Sequence, residues 1–358
     1  MGLTHVITST IIKKLISMSR VFNTILFVSI SIILGILILI DLKTGQIDIP
    51  FKEINNFFSF SKTQDDSFYI LVKEFRFPRV LVAVLTGVAL SVSGLLMQTI
   101  FRNPLAGPYV LGISSGASLG VALFVLGGSM FVGVQGALGS NISLLISAGA
   151  GAAFVMFIIL AVSVRVRDNI SILIIGILIA GVVSSIVSIL QYYANDISVK
   201  SFVVWTMGNL DAVSYNDVML ILPIVVFGLL GVFFMSKNLN LSLLGESFAK
   251  SMGVNTKVQR ILVFSFVSLL TGTVTAFCGP IGFIGIAAPH IARWIFNTAN
   301  HFVLIPASSL IGAIFIVSSD ILTHSITNQG ILPVNAITAI MGAPFIIWIV
   351  MQNKRTVI

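Results

Sequence analysis

The chain has 358 residues, of which 57% are hydrophobic and only 9% are charged. Soluble domains usually carry about 25% charged residues, so this composition excludes an ordinary soluble enzyme or binding module. Together with a mean hydropathy of +1.09 and repeated apolar runs of about 20 residues, it predicts an all-α polytopic membrane protein. The single cysteine, Cys278, excludes an internal disulfide framework.

Apolar segments separated by polar or glycine-rich breaks predict ten transmembrane helices. In chain order these are 21–40, 78–100, 109–127, 141–164, 170–193, 218–235, 258–277, 281–297, 303–320 and 335–352. The first run is longer than the apolar core of a signal peptide and lacks a small-residue cleavage site, so we expect it to stay uncleaved. This divides the chain into a short N-terminus (1–20), one transmembrane domain (21–352) and a short C-terminus (353–358).

The connections differ in character. Residues 41–77 predict a polar loop, the connection before 218 contains amphipathic pieces, and 236–257 is a second long polar stretch. Spans 2–5 and 7–10 are candidates for inverted copies, because an offset of five spans reverses their direction in the membrane.

Proline and glycine mark the break between spans 2 and 3. Pro104 and Pro108 lack a donor N–H and disfavour helix in the preceding residue, so one span ends before them and another begins after them. Gly112, Gly116 and Gly120 then recur at helical spacing. Small residues at such positions let transmembrane helices approach closely.

Charge predicts the orientation. With ten spans both termini lie on one side, which then carries 13 lysines and arginines, against 7 on the other. The positive-inside rule places the richer side, and hence both termini, in the cytoplasm. The net charge of +8 is explained by this topology, so nucleic acid is not expected as a partner.

The residues that carry chemistry in enzymes and pumps are scarce. The sequence has no G-x-x-x-x-G-K-[ST] loop and no His/Cys/Asp cluster at metal spacing. His290 is interpreted as a hydrogen-bonded helix histidine. Gln98, deep in span 2, either forms an interhelical hydrogen bond or lines a pathway. We therefore expect no catalytic, cofactor or metal site, and an energy source outside this chain.

Residues 241–253 are predicted to contact that source. Leu244, Phe248 and Met252 are spaced four apart and form one apolar stripe, and Gly253 suits a helix end. Two interpretations remain: a helix lying on the lipid surface, or a helix inserted into a groove of a soluble partner. The single acidic residue and modest basic charge favour the partner.

Three ordered passages resemble the FecCD-type permeases of type II ABC importers, which take up iron-siderophores, haem and vitamin B12. The first passage contains Arg76, Arg79, Gly87, Gly94, Gln98, Asn103, Pro104, Pro108, Gly112 and Gly116. The second contains Leu244, Gly245, Glu246, Ala249, Met252 and Gly253. The third contains Gly282, Gly285, Pro289, His290 and Arg293, followed by Leu332-Pro333-Val334 and Gly342-Ala343-Pro344.

The resemblance implies a transport subunit rather than an enzyme, for iron chelates or, alternatively, vitamin B12. It implies a homodimer or pseudodimer, two cytoplasmic ABC ATPase subunits that bind ATP and Mg, and an external substrate-binding protein. Residues 241–253 would be the coupling helices on the ATPases. Arg76, Arg79 and His324 would occupy docking positions for the binding protein, and the loop at Asn169 and Ile170 would match a cytoplasmic gate.

Three positions depart from the family pattern. His324 stands where arginine is frequent, Ile331 where glutamate is common, and Asn335 where glycine is common. Because His324 replaces the frequent arginine, the resemblance does not establish the third docking contact with the binding protein. Two rival functions also remain: an ion-coupled secondary transporter, which would need intramembrane ionisable groups, and a membrane enzyme or scaffold, which would need a catalytic cluster.

Overall fold

The computed structural model describes residues 2–45, 47–59, 67–128, 141–166, 168–326 and 332–353, except the side chains of 2–20, 110, 141–142, 164, 169, 350 and 352–353. Every regular element in those ranges is helical, as predicted. The helices are α1 (Gly2–Lys43), α2 (Phe51–Phe58), α3 (Ser67–Leu71), α4 (Phe77–Phe101), α5 (Ile113–Ala122), α6 (Asn141–Arg165), α7 (Asn169–Tyr193), α8 (Asp196–Thr206), α9 (Tyr215–Phe234), α10 (Ser236–Leu243), α11 (Glu246–Ser251), α12 (Thr256–Cys278), α13 (Ile284–Phe296), α14 (His301–Ser325) and α15 (Val334–Asn353).

Seven helices in the described ranges are long and apolar enough to cross a membrane. Three shorter apolar helices, Ile113–Gly127, Ile284–Phe296 and Val334–Ile349, occupy the positions of predicted spans 3, 8 and 10. At 1.5 Å per residue, the 13 residues of α13 rise only about 20 Å, less than the roughly 30 Å hydrocarbon core. The count of ten spans therefore stays a prediction.

Helix α4 is the centre of the bundle. In the run 67–101, 83% of the most apolar window is buried, against 17–28% in α1, α6, α7 and α9. Its main neighbours are α14, α13 and α12, while α5 packs between α6 and α7. Glycine permits these approaches: a Cβ on Gly87 would lie 2.2 Å from the Gly312 carbonyl oxygen in α14. The small residues singled out in the sequence are thus contact points between helices, as expected for membrane bundles.

Two expectations about connections are corrected. The stretch 41–77 is not simply a polar loop, because α2 lies in it and a continuous helical run starts at Ser67. Phe57 of α2 packs against Phe77, and Ile54 and Val72 share a small apolar cluster with Leu42. These buried side chains give the segment a core of its own, which favours helix over loop.

The second correction concerns 241–253, which is not one helix. Helix α10 ends at Leu243, Gly245 adopts φ +124°, and α11 begins at Glu246. An L-residue is strained at such a φ, so glycine allows the chain to change direction there. The predicted stop at Gly253 agrees with its φ of +86° just beyond α11.

The breaks after α4 and α12 are similar in character. Gly112, at φ +74°, precedes the short α5, and Gly279, also at φ +74°, precedes the short α13. A positive-φ glycine before a short helix at both places is consistent with a repeat of this part of the fold. The inverted repeat itself stays a prediction.

Candidate functional site

Two clusters of polar side chains lie at the two ends of α4. One surrounds Arg79 at its start and the other surrounds Thr99 and Arg102 at its end. About 23 residues at 1.5 Å each separate these clusters by roughly 34 Å, which is comparable to the thickness of a membrane core.

The Arg79 cluster consists of Arg79, Asp41, Asp211, Asp320 and His324. The guanidinium lies 2.9 Å from Asp320 Oδ2, 3.0 Å from Asp41 Oδ1 and 3.6 Å from Asp211 Oδ1. It also lies 3.0 Å from His324 Nε2. The cluster joins the ends of α1, α4 and α14 to the segment between α8 and α9. Buried charges require such partners, because burial removes their hydration.

Asp211 is the member of this cluster that lies between helices. Burial alone would raise the pKa of its carboxyl group, but the hydrogen bond with His324 and the charges of His324, Arg79 and Arg76 outweigh burial and hold the pKa below its ordinary value. Asp211 is therefore held as a carboxylate beside its cationic neighbours.

Of the three residues predicted to dock a binding protein, Arg79 and His324 belong to this cluster and Arg76 lies three residues before Arg79, but none of the three is exposed. The exposed fraction is 6% for Arg76, 2% for Arg79 and 2% for the His324 side chain. Arg76 donates to the carbonyl oxygens of Thr44 and Ile47. The structure therefore presents none of the three as a docking surface, because this chain already supplies their partners.

The sequence did not reveal which groups surround Arg79. Asp41, Asp211 and Asp320 are all distant from Arg79 in sequence. A usable signal was the pair Asp320 and His324, four residues apart on one helix. An ionisable residue in an apolar span implies a partner of opposite charge nearby.

At the other end of α4, Gln98 connects two helices. Its amide donates to the Ile286 carbonyl oxygen at 3.2 Å, and its oxygen accepts from Arg293 at 2.5 Å. His290, on the same helix α13, donates to the Pro104 carbonyl oxygen at 2.9 Å. The structure thus gives Gln98 the interhelical hydrogen bond and His290 the helix hydrogen bond that the sequence analysis considered.

The break between α4 and α5 is built from the predicted motif residues. The Asn103 side chain accepts from Leu105 N at 2.9 Å, which fixes the turn through Pro104. Pro108 packs against Gly285, where an added Cβ would lie 2.5 Å from Pro108 Cδ. Pro289 is buried inside α13, and Gly116 faces Gly151 at similarly close range. These residues fix the packing of neighbouring helices and carry no reactive group.

The segment α10–α11, residues 236–253, is tied to three membrane helices. Ser242 accepts from Arg102 through its carbonyl at 3.0 Å and donates to Gln259 through its hydroxyl at 3.0 Å. Asn240 accepts from the backbone and ring of His301 at 2.8 and 2.7 Å. These contacts connect α10 to α4, α12 and α14, so the segment is fixed to the bundle rather than loosely attached.

Within the same segment, Glu246 is held at the start of α11. Its carboxylate accepts from Thr256 of α12 at 3.2 Å and pairs with Lys250 at 2.9 Å. The hydrogen bond from Lys250 is the main reason that the pKa of Glu246 lies below its ordinary value. Ala249, in the middle of α11, is fully buried.

The predicted apolar stripe is exposed. The exposed fractions are 67% for Leu244, 44% for Phe248 and 58% for Met252. Leu244 precedes the break at Gly245, so the three side chains belong to a bent surface rather than to one helix. A cluster of large apolar side chains exposed beside charged residues is typical of a contact surface.

The connection between α6 and α7 is linked to α12. Arg260 donates to the Val166 carbonyl oxygen at 3.1 Å. Asp168 caps α7 by accepting from Ser171, and these hydrogen bonds, with the charge of Arg260 as a smaller cause, lower the pKa of its carboxyl group. Ile170 is exposed, whereas the side chain of Asn169 lies outside the described residues. Arg260 carries no signal for this role in the sequence, because its partner is a backbone oxygen.

The structure describes two of the three residues that depart from the family pattern. His324 belongs to the Arg79 cluster, and the Asn335 side chain accepts from Gly282 N at 3.0 Å, joining α15 to the turn before α13. Ile331 lies outside the described residues. In the described ranges no group of three or more His, Cys, Asp or Glu side chains forms a metal site.

Similarity to known proteins covers almost the whole chain. The family model described as the FecCD transport family matches residues 33–352. The hemin transport system permease protein of Yersinia pestis is 33% identical over 329 residues, covering 90% of this chain and 94% of that protein. The vitamin B12 import system permease protein of Escherichia coli is 32% identical over 286 residues, covering 80% and 85%. The solved structure of a metal-chelate type ABC transporter in an inward-facing conformation matches with a TM-score of 0.80 and 27% identity, covering 91% and 99%.

Proposed function

The chain belongs to the FecCD transport family, and from this premise we propose that it is the permease of an ATP-driven importer that moves an iron chelate, a siderophore complex or haem, into the cytoplasm. Two ABC ATPase subunits, an external binding protein and a second permease copy complete the proposed assembly. ATP and Mg bind the ATPase subunits and not this chain. Both termini are cytoplasmic, in a bacterial inner membrane.

The observation that carries the proposed coupling is the exposed surface of Leu244, Phe248 and Met252 on a segment tied to the bundle. Apolar side chains at the centre of a contact surface supply most of its affinity. We assign residues 241–253 as the ATPase contact because the segment is both exposed to a partner and bonded to α4, α12 and α14. A displacement of this segment by the ATPase would therefore be transmitted directly to three membrane helices.

The proposed route to the gate runs through α12. Thr256 joins α11 to the first turn of α12, and Arg260, one turn later, holds the Val166 carbonyl. Displacement of α11 by the ATPase would move α12 and, with it, the connection at 166–170 that we propose as the cytoplasmic gate. Rigid-body movement of packed helices suits a bundle joined at glycines.

Substrate handling is proposed to need little chemistry from this chain. Gln98, Asn103 and Pro104 lie where the end of α4 and the connection to α5 meet α13, and we propose that this junction borders the pathway. The Arg79 cluster is proposed to hold the ends of α1, α4 and α14 in register beneath the docking surface, rather than to bind the external protein itself. Vitamin B12 is the second candidate substrate, supported by the similarity to the Escherichia coli permease.

The test is co-purification of the permease with its ATPase. Phe248→Asp places a charge at the centre of the proposed contact, and we expect the ATPase to be lost while the folded permease is retained. Phe51→Asp is the matched control, because Phe51 is also an exposed phenylalanine on a short helix, at 56% exposure. Equal ATPase retention by both variants and the unaltered protein would refute the assignment.

A further inference from the structure

A polar cavity lies beside the start of α11, and its lining includes none of Leu244, Phe248 and Met252. The volume open to the centre of a water molecule is about 130 Å³, and the lining includes Arg102, Ser242, Glu246, Gln259 and Arg260. A cavity needs roughly 10–15 Å³ on this measure to hold one water molecule, so this space can hold a polyatomic ligand. The cavity is formed where α4 ends and α12 begins, between the two parts of the α10–α11 segment.

Most charges around this cavity are already balanced. Glu246 is paired with Lys250 at 2.9 Å, and Arg260 bonds the Val166 carbonyl and interacts electrostatically with Asp168. Arg102 differs. Its guanidinium donates to the Ser242 carbonyl, and it forms no ion pair with any residue in the described part of the chain. The cavity therefore carries a positive charge that lacks a carboxylate partner.

Gln259 provides independent evidence for a missing ligand. Only 4% of this residue is exposed, and its side-chain oxygen accepts from the Ser242 hydroxyl at 3.0 Å. Its Nε2 is buried with no hydrogen-bond partner. An unpaired buried donor is unfavourable, so native proteins normally supply an acceptor for it. The first turn of α12 adds the partial positive charge of a helix N-terminus.

We propose that this cavity binds a phosphate group, with Arg102 and the Gln259 amide as its main donors. Two sources share this chemistry: the head group of an anionic phospholipid and inorganic phosphate. Basic pockets between helices at a membrane surface are suited to such head groups. A bound phosphate would connect the end of α4 to the start of α12 and so stiffen the base of the α10–α11 segment.

The key variant is Gln259→Glu. Glutamate keeps the oxygen that accepts from Ser242, but it replaces the unpaired donor by a second carboxylate oxygen and adds a negative charge. We expect the fold to be retained and phosphate affinity to fall by about tenfold or more, because a charge-assisted donor is lost and repulsion is gained. Arg102→Gln should weaken binding by a similar factor. Arg165→Gln is the matched control, because Arg165 is an exposed arginine at the end of α6 that does not line the cavity.

The full-length protein is placed in nanodiscs of phosphatidylcholine, with or without phosphatidylglycerol, and separately titrated with inorganic phosphate in detergent. Thermal unfolding and native mass spectrometry report bound ligand. Stabilisation and retained lipid that are lost in Gln259→Glu and Arg102→Gln, but kept in Arg165→Gln, support the lipid source. A response to inorganic phosphate alone, with the same variant pattern, supports the free ion. No response to either probe, or a response that the two cavity variants leave unchanged, overturns the proposal. None of these readouts requires ATPase or transport.

Discussion

Gly94→Ala tests the packing of α4 against α13. A Cβ at position 94 would lie 1.7 Å from the Gly285 carbonyl oxygen and 2.6 Å from Gly285 Cα. Carbon–oxygen contacts in folded proteins are about 3.3 Å or longer, so α13 would have to withdraw by roughly 1.6 Å. The obstructing atoms belong to the backbone, and no side-chain rotation relieves the contact.

The expected destabilisation follows from this geometry. Adding one methyl group to a packed core usually costs about 1–3 kcal/mol, and a rigid backbone contact falls at the upper end of that range. Withdrawal of α13 also stretches the hydrogen bond from Gln98 to Ile286, which contributes about 1 kcal/mol more. We therefore expect the free energy of unfolding to fall by about 3–4 kcal/mol.

Gly149→Ala is the matched control. It lies inside α6 and has nothing within 4 Å of an added Cβ. Alanine favours helix over glycine, so this variant should be neutral or stabilising by up to about 1 kcal/mol. Both variants are unfolded reversibly in mixed detergent micelles, alongside the unaltered protein. Stability of Gly94→Ala within about 0.5 kcal/mol of the unaltered protein would refute the close packing.

Three further predictions concern charged residues. Arg79→Met leaves buried carboxylates unpaired and should cost about 3–5 kcal/mol in the same unfolding assay; a loss below about 1 kcal/mol would contradict the burial of the cluster. Because the pKa of Asp211 is lowered in the folded state, its charge stabilises the protein above the unfolded value near 3.9, and this stability is lost as pH falls through the lower folded pKa. Asp211→Asn should therefore unfold at a lower temperature than the unaltered protein at neutral pH and match it in acid, and a gap that persists at low pH would contradict this sign. Arg260→Met should leave ATPase co-purification intact but reduce substrate moved per ATP several-fold, whereas unchanged coupling would remove Arg260 from the proposed route.

Hydropathy and helix-breaking residues were enough to predict the helical class and the main spans. In lipid each backbone polar group must find its hydrogen-bond partner within the protein, which favours helices, and polar residues therefore collect in the connections between them. The turn at Pro104 and Pro108 and the helix end before Gly253 follow from local stereochemistry. Such features depend on neighbouring residues in the sequence. They could therefore be predicted from one chain.

The missed features depend on residues that are distant in sequence. The resemblance implies a docking position for Arg79, whereas Asp41 and Asp211, which pair with it in the fold, lie far from it along the chain. The bend at Gly245 was missed because the fourfold spacing of apolar residues continues through it, although the backbone does not. Helix α2 was missed because its apolar side chains pack on a small separate cluster rather than along a membrane span.

Uptake by reconstituted vesicles tests the central claim most directly. The permease is incorporated into proteoliposomes with its ATPase and external binding protein, and uptake of a radiolabelled iron chelate is followed with and without ATP. We predict uptake only when the ATPase and ATP are both present, irrespective of any ion gradient. Uptake by the permease alone, driven by a sodium or proton gradient, would contradict the account.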